Sequence, residues 1–169
     1  MKQLTIFGQQ HILREQKSDK DTIEQRSNTI IVNKHQKTTK TLLKDFLAQL
    51  LHDKLLEIYD SIKAEGKVEL FGDLDFEITE NIDNKKTRIA KLKGNKVLIK
   101  LNAVALPQSA LEYVVAHELA HMVSKKHTPK FWKTVELICP NLKEAQESLT
   151  KYSKLITQDF LRTNLYLTF

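Results

Sequence analysis

Apolar residues recur at steps of three and four through residues 39–64, which is the spacing of a long amphipathic helix. Gly66 follows the last apolar turn and is a typical helix stop. Residues 1–35, which precede this helix, hold short apolar or alternating runs separated by polar turns. These runs predict strands, which we expect to form a small antiparallel sheet. The runs are residues 4–7, 11–14 and 29–32.

Further strands are predicted after the long helix. Residues 68–71 and 76–79 are two short apolar runs separated by a turn. Residues 87–92 and 97–101 flank Gly94-Asn95, which predicts a hairpin. A free sheet edge beside an active-site helix can hold an extended peptide as an added strand, and we expect one of these strands to have that role.

Three shorter helices are predicted near the end of the chain. Ser109 and Glu112 have the spacing of a capping box at the start of the first helix. Thr128 and Pro129 stand in the favoured order of cap and first position for the second. The third is expected to reach about residue 156. Strands followed by helices indicate an α+β fold, and we expect one domain over residues 1–169 with a catalytic region at about 68–156.

The first of these helices contains the sequence His117-Glu118-Leu119-Ala120-His121. Histidines four positions apart on a helix differ by about 40° in direction, so their imidazoles converge on one point. Glu118 lies beside the first histidine, where it can act as general base towards a metal-bound water. His127 follows six residues after His121 and would complete a set of three ligands. We therefore expect one zinc ion at these three histidines.

The alternative is a chance motif on a solvated helix. Much of this helix is apolar, and buried histidines and a buried glutamate are costly unless something pairs with them, which favours the metal site. Ser124 stands where the metzincin pattern has a glycine. We therefore expect a turn that differs from the metzincin turn, with a left-handed residue at one of the non-glycine positions 124–127.

Residues 111–121 and 127–132 together resemble the YgjP-like metallopeptidase family, which is similar to the SprT-like metalloproteases. Residues 87–107 resemble an upstream segment of the same family, with departures at Ile89, Ala90 and Leu92. The resemblance implies a zincin-like α+β domain that holds a hydrolytic zinc at the three histidines, with Glu118 as the base.

Composition and charge favour a single cytoplasmic domain. The chain has 169 residues, 41% of them apolar, and no apolar run approaches the roughly 20 residues that cross a bilayer. The chain opening does not have the pattern of a secretory signal, and Cys139 is alone, so no internal disulfide forms. The net charge of +6 comes from scattered lysines, so binding to nucleic acid is possible but not indicated.

Five residues are candidates for substrate binding. Lys125, Lys126 and Lys130 flank the third histidine and would favour a negatively charged substrate. Arg88 is a candidate for binding substrate charge. Tyr113 lies one helical turn before His117, where it could stabilise a developing oxyanion or simply pack.

The motif therefore predicts a zinc-dependent hydrolase, and a metallopeptidase first of all. A zinc-dependent nucleoside triphosphate pyrophosphatase or phosphohydrolase would use the same activated water and is the principal alternative. A DNA-associated protease of the SprT-like kind would need a DNA-binding segment that the sequence does not display. A non-catalytic metal-binding domain would have no need of Glu118.

Overall fold

The computed structural model describes residues 2–69 and 74–153. These residues form two small sheets and four α-helices, so the fold is α+β, as predicted. The elements run in the order β1 (Lys2–Ile6), β2 (Gln9–Lys17), β3 (Thr22–Arg26), β4 (Thr29–Lys34), α1 (Thr39–Glu65), β5 (Asp75–Thr79), β6 (Ala90–Lys93), β7 (Lys96–Lys100), a 3-10 helix (Leu101–Ala105), α2 (Gln108–Val123), α3 (Pro129–Ile138) and α4 (Leu142–Lys151).

The N-terminal sheet has the strand order β1-β2-β4-β3. Strands β1 and β2 are antiparallel, as are β3 and β4, but β2 and β4 are parallel. The small sheet predicted as antiparallel is therefore mixed, with two antiparallel pairs and one parallel pair. The unpredicted strand is β3, whose sequence is largely polar. Strand β3 pairs with the outer edge of β4, and the other edge of β4 pairs with β2 in the parallel direction.

Helix α1 matches its predicted extent closely. Thr38 caps its N-terminus by accepting a hydrogen bond from the Thr41 N–H. Gly66 ends the helix in the left-handed conformation with φ of 63°, which glycine adopts without the steric cost that a side chain brings. A stripe of buried leucines faces the core and includes Leu43, Leu47, Leu51 and Leu55.

The second sheet has the order β5-β7-β6. Strands β6 and β7 form the predicted antiparallel hairpin, and Gly94 turns with φ of 63°. Strand β5 runs parallel to β7, so this sheet is also mixed. Val68 and Glu69 are not in a strand, and the rest of the strand predicted at 68–71 lies outside the described residues.

The predicted ends of the last three helices are correct in part. Helix α2 begins at Gln108 without a side-chain cap, so the predicted capping box of Ser109 and Glu112 does not form. Helix α3 begins as predicted, because the Thr128 hydroxyl accepts from the Phe131 N–H. Helix α4 runs to Lys151, and the predicted end at about residue 156 lies outside the described residues.

One hydrophobic core joins both sheets and all four helices. Helix α2 lies within it, since Ala116 and Ala120 are fully buried and most of their neighbours on the helix are also buried. The helix packs against α3, α4 and β6. Its polar residues His117, Glu118 and His121 lie together in the part of the helix between β6 and the start of α3. Among the described helices, none combines the length and apolar character required to span a membrane.

Candidate metal centre

The structure brings the three predicted ligands together. Helix α2 contributes His117 and His121 from successive turns, and His127 comes from the segment between α2 and α3. The centroids of the three rings are 5.1 Å apart in every pairing. Their ligating nitrogens all lie within 4.8 Å of one another. This arrangement supplies three imidazole donors to one point.

The segment that carries His127 turns without a left-handed residue, so that prediction is wrong. Ser124 is extended, with φ of −145°, and positions 124–127 have no positive φ. Side-chain and backbone hydrogen bonds close the turn instead. The Ser124 hydroxyl donates to the Lys126 carbonyl at 2.9 Å, and the Thr128 N–H donates to the same oxygen at 2.8 Å.

The Ser124 carbonyl also orients His121. It lies 3.2 Å from His121 Nδ1, and because a carbonyl can only accept, Nδ1 carries the proton. The Nε2 lone pair of His121 is then free for a metal ion. The backbone of one turn thus positions two ligands, His127 through the chain and His121 through this hydrogen bond.

Two aromatic residues of α3 contact the histidines. The ring of Phe131, fully buried, has its centroid 5.0, 4.7 and 4.8 Å from those of His117, His121 and His127. Trp132 is half-buried and contacts His117 and His127. The sequence pattern places both aromatics on the buried face of α3. Their role in holding the imidazoles becomes visible only in the structure.

His117 and His121 are partly buried, and His127 is exposed. Burial, together with the nearby His121 and His127, lowers the pKa of His117 to about 4. The ring is therefore neutral at pH 7, the form in which histidine binds a metal ion. Tyr113 Oη lies 3.4 Å from His117 Nδ1 and accepts a hydrogen bond from Gln146 Nε2, also at 3.4 Å.

Tyr113 is buried and is not among the residues that line the cleft beside the histidines. Its hydroxyl contacts His117, and its predicted role in substrate binding stays a prediction. Gln146, on α4, carries no sequence signal that would connect it with the site. It lies 33 residues from Tyr113, and only the packing of α4 on α2 brings the two together.

Glu118 is 8% exposed and projects towards strand β6. Its Oε2 accepts a hydrogen bond from the Leu92 N–H at 2.9 Å. Burial raises the pKa of the Glu118 carboxyl, while the Leu92 N–H, Arg88 and His127 act in the opposite direction. A carboxylate with a raised pKa is a better proton acceptor near neutral pH than a solvated one.

Strand β6 is the outer strand of its sheet. The Lys100 N–H donates to the Ile89 carbonyl at 2.9 Å, which sets the alternation of the antiparallel ladder. Ala90 and Leu92 therefore direct their backbone polar groups away from β7. The Leu92 N–H is bound to Glu118, and Ala90 and Leu92 both line the cleft beside it.

A cleft of about 780 Å³ opens over Glu118 and the three histidines. Of the basic residues predicted to bind substrate, Arg88 and Lys125 line it. Lys126 and Lys130 are exposed and do not line it. Lys91, on β6, lines the cleft as well, and the sequence analysis did not single it out.

Comparison with known proteins decides the family. A family model described as YgjP-like, metallopeptidase domain, matches residues 1–152. The chain belongs to the YgjP-like family. The match confirms the resemblance seen in residues 111–121 and 127–132, and it identifies this YgjP-like chain as a metallopeptidase-family protein.

No curated protein sequence gives a significant match to the chain. Among solved structures, the crystal structure of the metallopeptidase zymogen of Pyrococcus abyssi abylysin is similar, with a TM-score of 0.45 and 22% sequence identity. The similarity covers 61% of this chain and 92% of that chain.

Proposed function

We propose that this YgjP-like chain is a zinc-dependent peptidase in which His117, His121 and His127 hold one zinc ion. The observation that carries the proposal is the position of Glu118. It is a buried carboxylate next to a ligand, it is held by a strand edge, and it faces a cleft that the histidines share. A purely structural metal site would not require a carboxylate there.

The three histidines suit zinc in their chemistry. Imidazole nitrogens are common zinc ligands, and three protein ligands leave one position for water or substrate. The Ser124 carbonyl fixes the tautomer of His121, and burial keeps His117 neutral. Phe131 packs against all three rings and restricts their rotation. Each of these features lowers the cost of assembling the ligands around an ion.

Zinc, when bound, supplies Lewis-acid chemistry that activates a water molecule and polarises the peptide carbonyl. The protein's part in the reaction is proton transfer. The Leu92 N–H holds Oε2 of Glu118, which leaves Oε1 to accept the proton of the attacking water. The same carboxyl then returns the proton to the leaving amine. Tyr113 orients His117.

The outer edge of β6, which pairs with no other strand of the described residues, supports a peptide as the substrate. Extended peptides bind sheet edges through main-chain hydrogen bonds. Apart from the Leu92 N–H that Glu118 holds, the backbone groups of Ala90 and Leu92 point away from β7, and both residues line the same cleft as Glu118. A substrate strand along β6 would pass beside the general base. The edge therefore gives the substrate a direction and a register relative to the reacting groups.

The test is hydrolysis of an unfolded protein such as casein, and of a mixed peptide library, by the zinc-loaded protein. We expect Glu118→Gln to reduce turnover by a factor of about 10² to 10⁴, because the amide cannot accept the proton. Zinc content should remain one ion per chain in this variant. His117→Gln should lose both zinc and turnover.

Glu112→Gln is the matched control, since Glu112 lies on the same helix and hydrogen-bonds Gln108 instead of facing the cleft. It should retain activity. Full turnover by Glu118→Gln would remove the proposed mechanism, and a protein that binds no zinc would remove the proposed metal.

A nucleotide hydrolase is the second candidate. The observation that favours it is the presence of Arg88 and Lys125 in the cleft, where they could bind a phosphate chain. The zinc-loaded protein would then hydrolyse nucleoside triphosphates, and Glu118→Gln would abolish that activity. Hydrolysis of peptides without hydrolysis of nucleotides would eliminate this candidate.

A further inference from the structure

The cleft has a pronounced charge asymmetry. Arg88, Lys91 and Lys125 line it, and Glu118 is the carboxylate that lines it among the described residues. Arg88 and Lys91 lie on the β6 side, and Lys125 follows the end of α2 on the other. Apart from the histidines, three positive charges therefore face one negative charge that is already engaged with a backbone N–H.

Arg88 and Lys91 are held together by one acidic residue. The Asp83 carboxylate accepts from Arg88 Nη1 and from Lys91 Nζ, each at 2.7 Å. These two cations lower the pKa of Asp83. One carboxylate shared by two cations orients both and neutralises only one of them. The pair keeps a net positive charge at the edge of the cleft.

The loop that supplies this carboxylate is anchored from inside the protein. Lys100 is 5% exposed, and its Nζ donates to the carbonyls of Lys85 and Lys86 at 2.6 and 3.0 Å. A lysine this deeply buried is costly unless its charge is satisfied, so these bonds tie the loop to β7. The positions of Asp83 and Arg88 are therefore set by the fold.

We propose that the Arg88–Lys91 pair, oriented by Asp83, receives a substrate carboxylate, so that the enzyme prefers acidic peptides. The proposal rests on the proposed peptidase function. A peptide lying along β6 brings the residues near its scissile bond beside Lys91, which is on that strand, and Arg88, which precedes it. The carboxylate is that of an Asp or Glu side chain, or the C-terminus of the peptide.

The test compares pairs of peptides that differ only by Glu or Gln at one position, moved through three residues on each side of the scissile bond. At one position or more, the zinc-loaded protein should show a kcat/KM about five to ten times higher for the Glu peptide. A second pair with a free or an amidated C-terminus distinguishes the two sources of the carboxylate.

The double variant Arg88→Met/Lys91→Met should reduce the preference for Glu to less than twofold. Lys93→Met is the matched control, because Lys93 is an exposed lysine of the same strand and does not line the cleft. It should keep the full preference. Binding of the uncleaved peptides to the metal-free protein, measured by fluorescence anisotropy, should follow the same order and weaken with added salt.

Equal hydrolysis of the Glu and Gln peptides at every position, and of the free and amidated pair, would overturn the acidic preference and leave the peptidase intact. A preference that persists in the double variant would overturn the assignment to Arg88 and Lys91. If no peptide of any kind is hydrolysed, the peptidase function itself fails and the inference fails with it.

Discussion

Burial shifts the pKa values of the histidine and the glutamate of the site in opposite directions. Burial lowers the pKa of His117 and raises that of Glu118, because it disfavours the charged form of each. A neutral imidazole is suited to bind a metal ion, and a more basic carboxylate is suited to accept a proton. Both properties follow from placing the motif on a buried helix. In solvent the histidine would be protonated in part at pH 7, and the carboxylate would be less basic.

At this scale we predict that Tyr113→Phe weakens zinc binding by about tenfold, because the variant loses the hydroxyl that contacts His117 Nδ1. Zinc affinity can be measured by competition with a chromogenic chelator. Tyr59→Phe is the control, since Tyr59 is also buried but its ring contacts Phe76 and no histidine. Equal affinities for wild type and Tyr113→Phe would assign Tyr113 to packing alone.

Two elements bring the site together, the turn between α2 and α3 and the edge strand β6. The turn delivers His127 and contributes the carbonyl that orients His121. The strand contributes the N–H that holds Glu118. Each element acts through its backbone as well as its side chains. Substitutions that alter the turn should therefore change metal binding without touching a ligand.

We predict such an effect for Ser124→Ala. The variant loses the hydrogen bond that closes the turn, so His127 is held less firmly and zinc affinity falls about fivefold, the equivalent of one ordinary hydrogen bond. Thr134→Ala removes a comparable bond, from a hydroxyl to the Lys130 carbonyl within α3, and should leave zinc affinity unchanged. A similar loss in both variants would indicate general destabilisation.

Over the whole molecule, the N-terminal strands and the site belong to one core. Phe7 and Gly8 donate backbone hydrogen bonds to Val104 and Ala105 of the 3-10 helix that leads into α2. The Tyr152 hydroxyl donates to the Gly8 carbonyl from beyond the end of α4. The first turn of the chain is thus linked to both ends of the helical region, in agreement with a family match that spans residues 1–152.

The pH dependence of stability is a property of the whole molecule. Because the pKa of His117 is about 4 in the folded state and about 6.5 when unfolded, the unfolded chain binds more protons between these values. The titration of His117 therefore makes the metal-free protein less stable as pH falls from 6.5 to 4. After allowance for partial exposure of the ring, the loss is on the order of 1 to 2 kcal/mol.

Glu118 has a raised pKa in the folded state, so its carboxyl binds more protons in the folded chain than in the unfolded chain above pH 4.5. The titration of Glu118 therefore lowers stability as pH rises, which is opposite to the effect of His117. The measurement is therefore the difference between wild type and His117→Asn in urea unfolding at several pH values. We expect the stability of wild type relative to the variant to decrease towards pH 4. A difference independent of pH would contradict the low pKa of His117.

The amino-acid sequence by itself determined the elements and the chemistry that local pattern encodes. The leucine spacing predicted α1, Gly94-Asn95 predicted the β6–β7 hairpin, and Thr128-Pro129 predicted the start of α3. Histidines four apart on a helix converge, so the approach of His117 and His121 was also predictable. These features depend on residues close together in the chain, where helix and turn geometry relate spacing directly to position.

Only the tertiary structure decided the features that join distant segments. The Leu92 N–H that holds Glu118 lies 26 residues away in the chain, and Gln146 lies 33 residues from Tyr113. The parallel pairing of β2 with β4 likewise depends on where the polar strand β3 is placed. Packing of complete elements creates these contacts, and no local pattern of residue types encodes them, because many arrangements of the same elements would satisfy that pattern equally well.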